Sequence, residues 1–155
     1  QMGLGGRLWG ATPGDQLVAG VSTQMVRYAG HYDEVLGADL RWQKDRVVVT
    51  GEYAQHFTDE SDPWSIYAEP GYYVQPEKVL LFVFGDYAHS PLPASGTGAD
   101  DYQKWEYGVG VNWLPTSFTR LRAAVTVYDY VGGSAVKAGQ NRDYFGMDLS
   151  AAVAF

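Results

Sequence analysis

The chain contains no cysteine. That excludes disulfide staples, thiolate metal sites and cysteine nucleophiles together. It also lacks any run approaching the roughly 20 apolar residues that a membrane-spanning helix needs, although hydrophobic residues make up 46% of it. The apolar residues are interleaved with polar ones rather than gathered, and a helical membrane protein is excluded. Basic residues are scarce: 11 Lys and Arg stand against 18 Asp and Glu, for a net charge of −7. With no Lys/Arg-rich block, no nucleic-acid partner is expected. His31, His56 and His89, the only histidines, share no metal-ligand spacing and read as solvated residues near loop ends. No Gly-x-Ser-x-Gly elbow is present. Neither a metal, a cofactor nor an enzymatic activity is expected. A length of 155 residues suits one domain, residues 1–155. The chain opens on Gln1 without a leader segment, as a mature exported protein or a fragment would.

What is present is aromatic, glycine-rich and alternating. The 12 Tyr, 5 Trp and 19 Gly suit twisted sheet with tight turns. At the C-terminus, Phe145, Met147, Leu149, Ala151, Val153 and Phe155 alternate with Tyr144, Gly146, Asp148, Ser150, Ala152 and Ala154. So long a period of two specifies a strand, because on a helix it would smear around the cylinder. Trp105, Tyr107, Val109, Val111 and Trp113 likewise oppose Lys104, Glu106, Gly108, Gly110 and Asn112. Leu121, Ala123, Val125 and Val127 oppose Arg120, Arg122, Ala124, Thr126 and Tyr128. Leu36, Ala38, Leu40 and Trp42 oppose Gly37, Asp39, Arg41 and Gln43, and Val47, Val49, Gly51 and Tyr53 oppose Arg46, Val48, Thr50 and Glu52. Further strands are expected over Leu17–Tyr28, Trp64–Gln75 (with Glu69 inward and a bulge or distorted edge at Pro70) and Val79–His89, where Asp86 marks the inward face. Leu4–Thr12 is the least regular candidate.

Short and long connections alternate. Pro13-Gly14, Lys44-Asp45, Pro76-Glu77 and Pro115-Thr116-Ser117 are turn-like, whereas Ala29–Asp33, Thr58–Pro63, Pro91–Asp101 and Gly132–Arg142 are longer and polar. Membrane barrels carry tight turns on one side and long loops on the other. The charges point the same way. One face of the clean strands holds nearly every Arg, Lys, Asp and Glu, and the other holds Val, Leu, Ala and broad rings. A soluble, lipocalin-like barrel would turn the apolar face inward, yet Trp105, Tyr107, Trp113 and Phe155 would crowd a small interior. The expected fold is therefore all-β, an antiparallel transmembrane up-and-down β-barrel, with membrane lipid against the apolar face.

The ending Met147–Phe155, alternating and closing on Phe, resembles the C-terminal insertion signal of Gram-negative outer-membrane proteins. The resemblance implies Phe145, Met147, Leu149, Ala151, Val153 and Phe155 as that signal, a location in the bacterial outer membrane beside lipopolysaccharide, and the barrel-assembly machinery as a partner. The stretches 36–42, 49–54 and 106–113 look like C-terminal strands of large porins, most nearly the phosphate-selective type. That type would bring a basic anion path. Here the inward set is mixed: Arg41, Arg46, Lys104, Arg120 and Arg122 with Asp39, Glu52, Glu69, Asp86, Glu106 and Asp148. These eleven are the candidate pore-lining residues. Arg41, Arg46, Arg120 and Arg122 read either as a cationic ring at one mouth or as partners of inward carboxylates on neighbouring strands.

Eight or nine strands are expected, depending on residues 4–12. Bacterial single-chain barrels have even strand numbers, so nine strands would be the C-terminal part of a larger barrel, and eight a small barrel filled by side chains such as Tyr67, Tyr73, Phe82, Phe84 and Tyr128. The first expectation of function is a porin-like channel for passive diffusion of small solutes. The alternative is a non-conducting anchor, binding protein or sheath around a partner protein in its lumen, and a homo-oligomer fits either. Asp59, Glu60, Asp62, Asp100 and Asp101 make the long loops acidic.

Overall fold

The computed structural model describes residues 2–28, 31–58, 62–90, 102–116, 118–132 and 144–153. They form nine strands: β1 (Met2–Ala11), β2 (Leu17–Tyr28), β3 (His31–Lys44), β4 (Val47–Phe57), β5 (Trp64–Gln75), β6 (Val79–Ser90), β7 (Tyr102–Thr116), β8 (Thr119–Gly132) and β9 (Tyr144–Val153). All lie in one antiparallel sheet in sequence order. The chain is thus all-β with up-and-down topology, and the Gly-rich N-terminal segment is a full strand paired from Met2↔Arg27 to Ala11↔Val18. The sheet is open: β1 and β9 are its edges.

The turn chemistry explains the short end. Thr12 and Leu17 bracket a 3-10 turn at Pro13–Asp15, closed by the Thr12 amide donating to the Leu17 carbonyl at 2.9 Å and with Gly14 at φ +79°. Asp45 and Glu77 occupy the same left-handed region at φ +53° and +57°. That region costs a side chain roughly 1–2 kcal/mol that glycine is spared. Glu77→Gly should therefore raise the stability of this hairpin by about 0.5 kcal/mol, after glycine's greater unfolded freedom is subtracted, and chemical denaturation would detect it. At this same end the Gln43, Tyr73 and Leu114 amides donate to the Gln16, Arg46 and Lys78 carbonyls, tying neighbouring hairpins together.

One local expectation is corrected and one takes a narrower form. The polar stretch 29–33 is not a long loop, because β3 begins at His31, which pairs with Tyr28, and only 29–30 join the strands. The distortion expected at Pro70 takes the form of an interrupted edge rather than a bulge. Pro70 pairs with Val49 on β4, while toward β6 the ladder skips Glu69 and Pro70 between Ala68↔Gly85 and Gly71↔Phe82 without changing register, and a separate shift falls between Tyr73 and Gln75. A missing N–H removes a bond to one neighbour only, so the strand need not bulge. The remaining connections on the long side join β4 to β5, β6 to β7 and β8 to β9. Asp59, Glu60, Asp100, Asp101 and Phe155 lie outside the described residues.

Candidate functional site

Register places the charged residues on a common face. Asp39 pairs with Glu52, Glu52 with Tyr67, Tyr67 with Asp86, Asp86 with Glu106 and Glu106 with Tyr128, in one row across β3 to β8. Directly opposed residues share a face, so this row and its alternate neighbours along each strand define the concave, inner side. A cavity of about 1270 Å³ occupies it, lined among others by Arg7, Asp39, Arg41, Glu52, Asp86, Arg120, Arg122, Ser150 and Ala152. Arg7 comes from β1, and Ser150 and Ala152 from β9, so the curl brings both edge strands to one cavity.

Of the expected lining residues, Asp39, Arg41, Glu52, Asp86, Arg120 and Arg122 meet at this cavity. Glu69 lies beside it through Arg122. Lys104 and Glu106 pair at 2.6 Å on the same face, with the Lys104 ammonium 5.2 Å from the Tyr128 ring centre. Asp148 accepts a hydrogen bond from the Thr126 hydroxyl at 3.0 Å. Arg46 is not with them, because it sits exposed in the β3–β4 turn. Arg7, which the strand patterns did not single out, donates to Asp39 at 2.7 Å. The available signal was its place as the one charge in a Gly/Leu-rich alternating segment. With Arg7 55% and Asp39 33% exposed, solvent screens this pair, so Arg7→Ala should cost under about 1 kcal/mol in chemical unfolding.

One pair is different in kind. Arg122 on β8 donates to Glu69 on β5 at 2.8 Å, reaching over β6 and β7. The Tyr67 hydroxyl donates to the same Glu69 oxygen at 2.5 Å, and the guanidinium lies 4.0 Å from the centre of the Phe82 ring. Beneath it lies the buried core, Phe82, Phe84 and Ala124, with Tyr67 packed against it. Thr126 and Asn112 are buried beside it. Small residues make the room. Phe82 and Phe84 pair with Gly110 and Gly108 on β7, and a Cβ at Gly108 would stand 2.7 Å from Phe84 Cε1. The inner face thus carries a packed cluster over β5–β8 beside an open, charged cavity that is lined from β1 to β4 and from β5, β6, β8 and β9.

Arg41 and Arg120 have neutral partners: Arg41 donates to Gln43 at 2.5 Å and Arg120 to Asn112 at 3.2 Å. Both arginines sit toward the short-turn end of their strands, and the row holding Asp39, Glu52, Asp86 and Glu106 lies nearer the long-loop end. Arg7 and Lys104 lie on the long-loop side of that row and Glu69 shares the row of Arg41, so charges of both signs interleave along the inner face. Among the described residues, no group of His, Asp and Glu could hold a metal ion.

The outward face is apolar and uncovered. Leu40, Ile66, Leu81, Val83, Val109 and Leu149 are exposed there, Leu149 to 75%. On β9, Phe145, Met147, Leu149, Ala151 and Val153 point outward together and are all exposed. Near the long-loop end, Tyr53, Trp64, Tyr87 and Trp105 form a continuous aromatic chain over four neighbouring strands, with successive ring centres 6.4, 5.1 and 4.5 Å apart; the His89 ring adds an edge contact to Trp64. Tyr72 and Trp113 are exposed toward the other end. Trp105 and Trp113 lie about 27 Å apart along β7 at ~3.4 Å per residue, with Tyr107, Val109 and Val111 between them on the outward face.

No protein-family model, curated protein or solved structure matches this chain, and its function is read from this geometry.

Proposed function

We propose that the nine strands are wall of a transmembrane β-barrel in a bacterial outer membrane, and that the barrel is a porin-like channel passing small solutes by diffusion. The observation that carries this is the inversion of the two faces. Charged and hydrogen-bonded groups line the concave side, while Leu, Val, Trp and Tyr stand exposed on the other. A soluble sheet would leave that face at a large cost in apolar exposure, at roughly 25 cal/mol per Å². Lipid removes the cost and at the same time demands closed pairing of every strand. Closure constrains the assembly: β1 and β9 run in the same direction, so they cannot pair antiparallel with each other. The sheet is accordingly read as an arc of a larger barrel, with lipopolysaccharide and the assembly machinery as its partners.

The open cavity of the inner face supplies the path, and the charges of both signs along β3, β4, β6 and β8 would act on ions within it. Single-channel recording on the full-length, natively extracted protein in planar bilayers should show discrete conductance steps. A protein that inserts and stays silent contradicts the channel. The packed cluster over β5–β8 favours a second reading, a non-conducting anchor or a sheath around a partner, and that reading takes over in the silent case.

A further inference from the structure

Two ion pairs on the inner face report how the sheet curls. The ladder row of Arg7 runs through Ser22 to Gly37, yet Arg7 reaches over β2 to Asp39, two residues farther toward the short turns. Glu69 reaches over β6 and β7 to Arg122. Its own row runs through Phe84 and Gly108 to Thr126, so Arg122 stands four residues off, toward the same end. Both ties slant the same way, two residues over two strands and four over three. Carried over the eight steps from β1 to β9, that slant amounts to about eight to eleven residues and brings Arg7 level with residues 150–153. Ser150 and Ala152 are the β9 residues that line the inner cavity with Arg7. The two edges thus face each other at one height.

The Glu69–Arg122 tie also measures the bend. On a flat sheet their Cα atoms would lie about 20 Å apart, at ~4.8 Å per strand and ~3.4 Å per residue. Fully extended, the two side chains and their hydrogen bond span about 15 Å. The wall from β5 to β8 must therefore curl to a radius of no more than about 8 Å. At this slant each strand takes about 6 Å of circumference, which gives a closed barrel of ten strands a radius of ~10 Å and one of sixteen ~16 Å. Because β1 and β9 run in the same direction, closure through antiparallel pairs takes an odd number of added strands. One added strand gives the radius nearest to the observed bend.

We infer that a single tenth strand of the same protein pairs with both β1 and β9 and closes the barrel. The inference rests on the membrane reading above, which requires every edge to be paired. The seat dictates the chemistry of that strand. Its outward positions are apolar, continuing the faces that carry Leu8 and Leu149, and its inward positions are small. Trp9 points inward opposite Gly20 and is 70% exposed, while β9 brings only Ser150 and Ala152 to the cavity. The large side chains of β1 occupy the space over the new strand, as Arg7 does over Gly20. The same protein is the source because an ordinary hairpin from either edge delivers the required direction. A strand joined to β1 on the long-loop side, or to β9 on the short-turn side, runs antiparallel to both. With ten strands and the packed cluster on one wall, the lumen keeps a narrow path that suits small ions rather than large solutes.

Paired nitroxides in the full-length protein, reconstituted in phosphatidylcholine vesicles, test this against a ruler in the same sheet. Leu8→Cys with Leu40→Cys spans two strand steps across β2, at the slant of the Arg7–Asp39 tie. Leu8→Cys with Ala151→Cys spans the gap at the same height. All three positions face outward and are exposed. The expected result is that the two dipolar distances agree to within about 4 Å, less than one strand spacing. A gap longer than the ruler by more than that means three or more added strands, and a gap shorter by more than that means that β1 and β9 pair directly; either overturns the inference. Native mass spectrometry should find one kind of polypeptide, and a second kind overturns the source. An inserted protein with a mismatched gap rejects the tenth strand alone. A protein that never enters vesicles rejects the membrane reading, and the tenth strand with it.

Discussion

Gly110→Val is expected to prevent the sheet from assembling around β6–β8. A Cβ at this position would overlap the Phe82 ring and stand 2.5 Å from the Ala123 carbonyl oxygen. The ring could swing away, but the carbonyl is backbone of the paired strand, held by Gly110↔Ala124. Ordinary overpacking costs about 1–3 kcal/mol. A clash with ladder backbone should exceed that, and total stabilities are only about 5–15 kcal/mol. Gly85→Ala is the matched control, since a Cβ there meets nothing within 4 Å. The folded fraction after refolding into detergent should collapse for Gly110→Val and hold for Gly85→Ala. Adding Phe82→Ala should rescue little, because the backbone half of the clash persists. Full rescue would mean that only the ring needs the space.

Glu69→Ala should be the costliest change among the charged residues, at about 3 kcal/mol. It strips Arg122 of its carboxylate while the guanidinium stays against Phe82, and it leaves the Tyr67 hydroxyl without its acceptor. Glu69→Gln keeps an acceptor for both donors and should cost about 1 kcal/mol. Removing both partners, Glu69→Ala with Arg122→Ala, should be milder than the sum of the single changes, since no buried charge is then stranded. Denaturant midpoints of the parent, the three single variants and the double variant make the comparison. In the channel reading, the freed Arg122 joins Arg41 and Arg120 on the short-turn side. The reversal potential of Glu69→Ala in a salt gradient should then move toward anion preference.

The strands were legible because alternation is local. β3, β7 and β9 each declare two faces within ten to fifteen residues, and charge tells the faces apart. β6 is apolar on both sides, and Asp86 alone indicated that Phe82 and Phe84 turn inward. Curvature was not legible. Gly108 and Gly110 read as merely small inward residues, and their necessity appears only when register sets them against Phe84 and Phe82. The Glu69–Arg122 bridge joins residues 53 apart in sequence on strands that are not neighbours, so no cross-strand rule reaches it. Arg46 was assigned to a strand because the pattern there continued into the turn. β1 was the weakest expectation because glycine has no side chain to report a face. Arg7 was overlooked with it.

The central claim is that the apolar face meets lipid and the charged face meets water. Nitroxide labels placed singly at positions 104–107, 109 and 111–113 of β7 in the vesicle-reconstituted protein test it most directly. Collision with dissolved oxygen should be high at 105, 107, 109, 111 and 113, and collision with a water-soluble nickel chelate should be low there. At 104, 106 and 112 the oxygen accessibility should fall, and the chelate should gain access wherever the lumen is open. Chelate access along the odd-numbered face would place that face in water and contradict the account.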